Sequence, residues 1–418
     1  MRNRVAIVAI LGTIVLVAGA IFVHSRRPRG EMKRPTAEAV KGTGKCIECH
    51  REQTAGIVRQ WQDSRHAEAG ITCFDCHKPR DQEHQLEHKG FQITRFVTSG
   101  TCADCHKREY AEFQKSRHAV AAWTAVRGNQ DFTPAQLAEA RKYHPEAIDR
   151  PPNPLPLLEG SGALQIGCKA CHEVGAPNYD GSIGNCTKCH GKHTESVAMA
   201  RISDTCGSCH MGPDHSQIEI WRESPHGIMF VARRDKQNLE YRGDELNANQ
   251  QDTPTCSTCH FSGFGGIDST HDVGERLSYY LFAAISEKRP NFDAARKNMR
   301  LICLNCHSRG HVDRFYQAAD TTLANTNAQV KKGQDIMEGL YKDGVLTKEP
   351  FDEPIEFLAF DLWHYFGRTA KHGAYMGGAD FSQWHGNYEL QLKLAELRRQ
   401  AEELRKAKGK RGGTSGAP

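Results

Sequence analysis

A mainly α fold, hung on many small attachment points rather than on one large apolar core, follows from three observations. All 16 cysteines fall in Cys-x-x-Cys-His units. Helical periodicity marks three stretches after residue 320, about 320–343, 354–370 and 387–408, and no strand-rich stretch stands out. Only 38% of the 418 residues are hydrophobic, so something other than side chains must fill much of the interior.

The units pair Cys46 with Cys49, Cys73 with Cys76, Cys102 with Cys105, Cys168 with Cys171, Cys186 with Cys189, Cys206 with Cys209, Cys256 with Cys259, and Cys303 with Cys306. Each is followed by a histidine: His50, His77, His106, His172, His190, His210, His260 and His307. Zinc ribbons also use Cys-x-x-Cys pairs, but they need no histidine after every second cysteine. With 22 histidines in the chain, chance would place one in all eight positions on the order of one time in ten billion or less. The pattern is that of c-type haem attachment, with two thioethers per haem and the adjacent histidine on the iron. The expected cofactor is eight covalent haem c groups, which would supply the missing core. No cysteine remains for a disulfide or a free thiol.

Net charge is a mild +5. Without a basic stripe or a nucleic-acid motif, nucleic acid is excluded as a partner. The N-terminus reads MRNR and then 19 uncharged residues, Val5 to Val23, just long enough to span a bilayer. Ala18-Gly19-Ala20 offers a signal-peptidase site, yet the apolar run continues past it. A retained anchor is favoured over a cleaved signal. Haem attachment takes place outside the cytoplasm, so both readings place the body on the periplasmic side of the membrane.

The expected organisation is a membrane or signal segment at 1–24, a Pro- and Gly-rich linker at 25–44 and a haem-bearing region at 45–319. A helical region at 320–408 and a disordered tail at 409–418 follow. Thr133-Pro134 opens a helix to about Tyr143, and Gly344 is a plausible helix end. Spacings between first cysteines are uneven, at 27, 29, 66, 18, 20, 50 and 47 residues. The fourth to sixth units are crowded together, which favours electron exchange between them.

An aromatic-x-x-Ser-x-His pattern recurs at Trp61–His66, Phe113–His118 and Trp221–His226, each 12 to 16 residues after an attachment histidine. This is the expected form of a second axial ligand returned by a short excursion, with the aromatic packed on a porphyrin. His66, His118 and His226 are therefore candidate distal ligands. His88, His193 and His271 join them because each lies close to an attachment unit. His385 is carried as a further candidate, with His311 and His372 as competitors for the same role. His24, His84, His144 and His364 are assigned bland roles. Fourteen non-attachment histidines remain after the eight, enough to ligate either seven or eight haems twice.

The unit order, the long third-to-fourth gap and the crowded fourth to sixth units resemble the octahaem hydroxylamine oxidoreductases and their nitrite-reducing relatives. So do the segments CGSCHMGPDHSQIEIWRESPHG (206–227), STHDVGERL (269–277) and HGAYMGGADFSQWHGNYE (372–389). The likeness spans about residues 45 to 390. It implies that the fourth haem, held by Cys168, Cys171 and His172, is open on one face and catalytic. It further implies that Asp214 and His215 stand over that face, as a carboxylate and an imidazole able to relay protons. It implies a homotrimer as well. In hydroxylamine-oxidising members a tyrosine from a neighbouring subunit cross-links to that haem. The matching string here reads Asp380-Phe381-Ser382-Gln383-Trp384-His385, and phenylalanine has no phenolic oxygen to bond.

The reading is an oxidoreductase that reduces nitrite and hydroxylamine to ammonia, fed by a quinol-oxidising or cytochrome partner at the membrane. Two alternatives stand beside it. One is oxidation of hydroxylamine or hydrazine on the same scaffold. The other is a non-catalytic electron wire.

Overall fold

The computed structural model describes residues 37–149, 151–213, 215–241 and 246–413. The expected membrane or signal segment and most of the linker lie outside these residues, and so does Asp214. Among the described residues no helix is long and apolar enough to cross a membrane.

From residue 37 to 303 the chain is a string of short helices, most of three to nine residues, joined by turns. Caps written in the sequence start many of them. Thr72, Thr98 and Thr133 each close a reciprocal capping box, and Pro134 sits in the first turn of Pro134–Ala140. That helix is shorter than the expected one, because the chain leaves it at Arg141 and turns through His144. The one sheet among the described residues is a hairpin of Leu86–His88 with Phe91–Ile93. Its two-residue turn, Lys89-Gly90, has positive φ at both positions, the twist that tight hairpins need.

The haem-bearing region has separate apolar clusters, the largest made of Ala119, Val120, Trp123, Phe132, Ala140, Ile148 and Ile183. Ile47, Val58, Trp61 and Ala67 form one, and Ile218, Trp221 and Phe230 another. Residues 309–413 pack differently. The 34-residue helix Arg309–Lys342 lies against Pro354–Met376, a helix with a π turn at Leu362–Gly367, and against Glu389–Gly413. One continuous core joins them through Val330, Leu340, Leu362, Leu390, Leu394 and Leu397. The last helix runs past the expected end at 408 to Gly413, since Lys408 ties it to the carbonyls of Asp343 and Gly344. The first of these helices begins at Arg309, directly after the eighth unit, rather than near 320. The Ser308 side chain caps it there by accepting from the His311 amide.

Candidate haem-binding and substrate site

Two imidazoles on opposite sides of one metal, each about 2 Å from it, put their ring centres about 6 Å apart. That spacing recurs through the structure. His50 is 5.9 Å from His88, His77 is 6.5 Å from His193, and His106 is 6.0 Å from His66. His190 is 6.3 Å from His271, and His307 is 6.0 Å from His226. His210 has two such neighbours, His118 at 5.9 Å and His215 at 6.1 Å.

The second nitrogen of several rings is anchored, which leaves the first for a metal. His50 bonds Thr54 Oγ1 at 2.8 Å, His77 bonds the Thr94 carbonyl at 2.8 Å, and His172 bonds the Ala122 carbonyl at 2.5 Å. Burial holds His118, His190 and His260 down to about 4 and His210 to about 3, so these rings are neutral, as metal binding requires. The rings, their spacing and the flanking thiols all fit haem c.

Local sequence explains how the distal candidates are aimed. In the recurring motif the serine is buried each time; Ser64 and Ser224 cap a new helix, whereas Ser116 ends one helix and closes a turn. Ser64 accepts from the Ala67 amide, Ser116 from the His118 amide and Ser224 from the Gly227 amide. The helix restart after Ser64 and Ser224, and the turn after Ser116, redirect the chain at the histidine two residues later. Gly227 is required by close approach, since a Cβ there would lie 2.0 Å from the Trp221 carbonyl. Trp61 and Trp221 are buried in the small clusters and donate to the carbonyls of Ile71 and Pro254. His193 itself has φ of 66°, as part of a left-handed turn with Glu195. Such strain costs of order 1 kcal/mol per residue and is stored at functional sites.

The units form a line. The sulfurs become thioethers once haem is attached, so their shifts serve here only to report which units are neighbours. Burial and then Cys46 raise the Cys73 thiol. Burial, Glu195 and Cys102 push Cys76 up to about 11. A hydrogen bond with Cys186 raises Cys102, and one with Cys256 raises Cys206. Burial and then Cys209 push Cys189 up to about 11, while burial and then Cys303 push Cys259 up to about 12. Neighbours therefore run first, second, third, fifth, sixth, seventh, eighth. The third unit meets the fifth directly. The fourth joins from the side, through Lys188 of the fifth unit, which bonds the Ala170 carbonyl at 3.0 Å and Glu173 at 3.1 Å. A π turn at Leu164–Cys168 leads into this fourth unit, a device common at functional sites. The unit packs on the backbone of His118 and Ala119, where a Cβ on Gly175 would lie 1.9 Å from the Ala119 carbonyl.

Beyond His118 and His210 lies a cationic chamber around His215. Its imidazole is 5.1 Å from Phe282 and 6.4 Å from His364. Arg368 reaches His364 Nε2 at 2.7 Å and donates to the Phe282 carbonyl at 2.9 Å. His372, fully buried, is 4.8 Å from Phe282. Lys371 is buried as well, with Nζ on the carbonyls of Ala283 and Ala284 and on Ser286 Oγ. Burial and then Arg368 pull it down to about 7. Segments 206–227 and 372–389 meet nearby, where Gly378 lies against Ile220. Just before the second segment, Thr369 bonds Ser216 at 3.1 Å. His364, assigned a bland role above, stands here with Arg368, Lys371 and Phe282, none of which the sequence singled out.

His385 has other surroundings than the paired rings. It is exposed, with Asp380 at 3.1 Å and the Phe381 ring at 4.8 Å, which is not a position across an iron from any attachment histidine of its own chain. The π turn Gln383–Tyr388 carries it outward. His311 stacks on His307 at 4.5 Å, too close for a metal between them.

Residues 69–354 match the family described as "Seven times multi-haem cytochrome CxxCH". This stretch holds the seven units from Cys73 onward, and the unit at Cys46 precedes it. The chain belongs to this family of multihaem c-type cytochromes. It is 22% identical to a probable nitrite reductase–hydroxylamine oxidoreductase fusion protein of Kuenenia stuttgartiensis, a match over 82% of this chain and 45% of that protein. The chain thus spans less than half the length of this curated relative. Among solved structures it is similar to a hypothetical multihaem protein, with TM-score 0.77, 21% identity, and 91% of this chain and 98% of the other covered. It is similar also to a chain of a reducing HAO-like protein complex of Kuenenia stuttgartiensis, with TM-score 0.65, 21% identity and 92% and 90% covered. The resemblance to octahaem hydroxylamine oxidoreductase-like proteins fits these relatives.

Proposed function

We propose that this cytochrome binds eight haem c groups on the periplasmic side of the membrane and reduces nitrite and hydroxylamine to ammonia at the fourth. The observation that carries the reading is the side position of the fourth unit. The third unit meets the fifth through Cys102 and Cys186, and the fourth is held beside them by Lys188, a position that suits a terminus. The relatives named for nitrite reduction and hydroxylamine oxidation support the choice of nitrogen chemistry.

Bound here, haem c supplies the electrons and an iron that holds the substrate nitrogen. The chain supplies protons, orientation and field. Asp214 and His215 are assigned the proton relay, a role worth roughly a hundredfold or more in rate. Arg368, joined by Lys371 when that amine is protonated, gives the chamber positive charge, which favours an anion such as nitrite, while His364 accepts from Arg368. The Ala122 carbonyl fixes the tautomer of His172, so that Nε2 faces the metal. Phe381 cannot form the cross-link of the oxidising enzymes, which favours the reductive direction. A multihaem or quinol-oxidising donor at the membrane and a homotrimeric assembly complete the proposal.

The test is an assay of the haem-loaded protein with a reduced viologen. Consumption of nitrite and hydroxylamine with ammonia as product is expected, together with roughly a hundredfold loss in His215→Ala. Consumption of neither substrate would sink the reading. A red-shifted cross-linked haem band in the reduced protein would turn it toward oxidation.

A further inference from the structure

The line of units ends at the first and the eighth, and the two ends differ. Around the eighth, Ser308, Arg309 and His311 are exposed. The His226–His307 spacing of 6.0 Å brings the helix Pro225–Ala232 onto this unit. That helix turns apolar side chains to solvent: Ile228 is 57% exposed, Met229 47% and Val231 70%. Leu301 of the neighbouring helix adds a fourth at 39%. Isolated exposed apolar residues need no explanation, but four gathered beside one attachment unit do.

The rim of this patch is basic. Residues 297–314 carry Lys297, Arg300, Arg309 and Arg314 against a single carboxylate, Asp313, and Arg300 pairs with that one. Arg234 and Lys236 flank Asp235 at the end of the other helix, and Arg233 pairs with Asp252, which lies near Cys306. Lys297, Arg309, Arg314, Arg234 and Lys236 are exposed. Near the first unit the charges are mixed, with Lys45 and Arg51 beside Glu48 and Glu52.

We propose that the face around the eighth unit is a docking surface for an acidic, soluble one-electron carrier protein. The apolar centre excludes water over the group held by Cys303 and Cys306, and the basic rim steers and orients an acidic partner. One electron leaves the reduced carrier, which is oxidised, and is gained by the ferric iron held at His307. No proton moves. The docking face stands independently of the reaction, whereas the inward direction of the electron rests on the reductive reading above.

The test uses the haem-loaded full chain, with a plant-type [2Fe–2S] ferredoxin as the acidic probe and a basic mitochondrial-type cytochrome c as control. Binding of oxidised ferredoxin is measured first, which needs no turnover. Reduction of the protein by reduced ferredoxin is then followed by stopped flow. The double substitution Arg309→Glu/Arg314→Glu should slow association about tenfold at low salt, and the difference should vanish at high salt. Val231→Ser should weaken binding without changing the salt dependence. Lys45→Glu should change neither. An unaltered visible spectrum shows that the variants fold. Equal binding by the double variant, a loss carried by Lys45→Glu, or binding of the basic cytochrome as tight as that of ferredoxin would overturn the proposal. So would a wild-type protein that binds anionic lipid vesicles or a second copy of itself through this face in place of ferredoxin. Normal docking with no electron gained would leave the surface standing and count against the reductive direction alone.

Discussion

The two halves of this chain hold themselves together by different means. Residues 309–413 bury a continuous row of leucines along long helices, as an ordinary bundle does. Residues 37–303 have mostly short helices, marginal alone, and several separate clusters, the largest gathering seven buried residues around Trp123 and Phe132. Histidine pairs separated by the width of an iron stand where a core would be. The first half is thus specified by what it binds, and the second by its own side chains. The chamber around His215 lies where the halves meet, with His364, Arg368, Lys371 and His372 supplied by the bundle.

The sharpest way to break this contrast is to withhold the cofactor. Replacing Cys206, Cys209, Cys256 and Cys259 with serine removes the sixth and seventh attachments, in the middle of the line. Loss of folded protein over 37–303 is expected, with 309–408 still protected, as limited proteolysis with mass spectrometry would show. A native body in this variant would contradict the account. Next in size, Leu394→Ala should cost about 2–5 kcal/mol by leaving a cavity in the bundle core. Denaturant unfolding should show the loss while the low-spin haem absorption is unchanged. Gly227→Ala forces a Cβ into the Trp221 carbonyl and displaces His226. One haem should then become high-spin, measured by magnetic resonance, at a stability cost of about 1–3 kcal/mol. The smallest effect is expected from Ser64→Ala, about 1 kcal/mol for a lost helix cap, read from thermal unfolding.

Much of this was legible because it is local. A Cys-x-x-Cys-His unit declares itself within five residues, and a serine cap followed by a histidine does so within three. Helical periodicity after residue 320 was legible for the same reason, although the start at Arg309 depended on the Ser308 cap. The line of units was not legible, since the third meets the fifth only after the long excursion through 107–185 has folded back. The chamber was half legible. Asp214 and His215 came from the resemblance, and Asp214 falls outside the described residues. Arg368 and Lys371 carried no signal, because ordinary cations on a helix acquire meaning only when the loop at 282–286 packs onto them. The three π turns among the described residues have no sequence mark that would have revealed them.

The central claim is that one attachment unit stands apart from the other seven, and the spin state of its iron tests this most directly. Electron paramagnetic resonance of the oxidised, substrate-free protein should show low-spin signals from the bis-histidine haems and one high-spin signal. That high-spin signal should shift on adding nitrite and disappear in a variant lacking the fourth attachment, Cys168→Ser/Cys171→Ser. Eight low-spin irons with no response to nitrite would contradict the account and leave a conductor without a terminus.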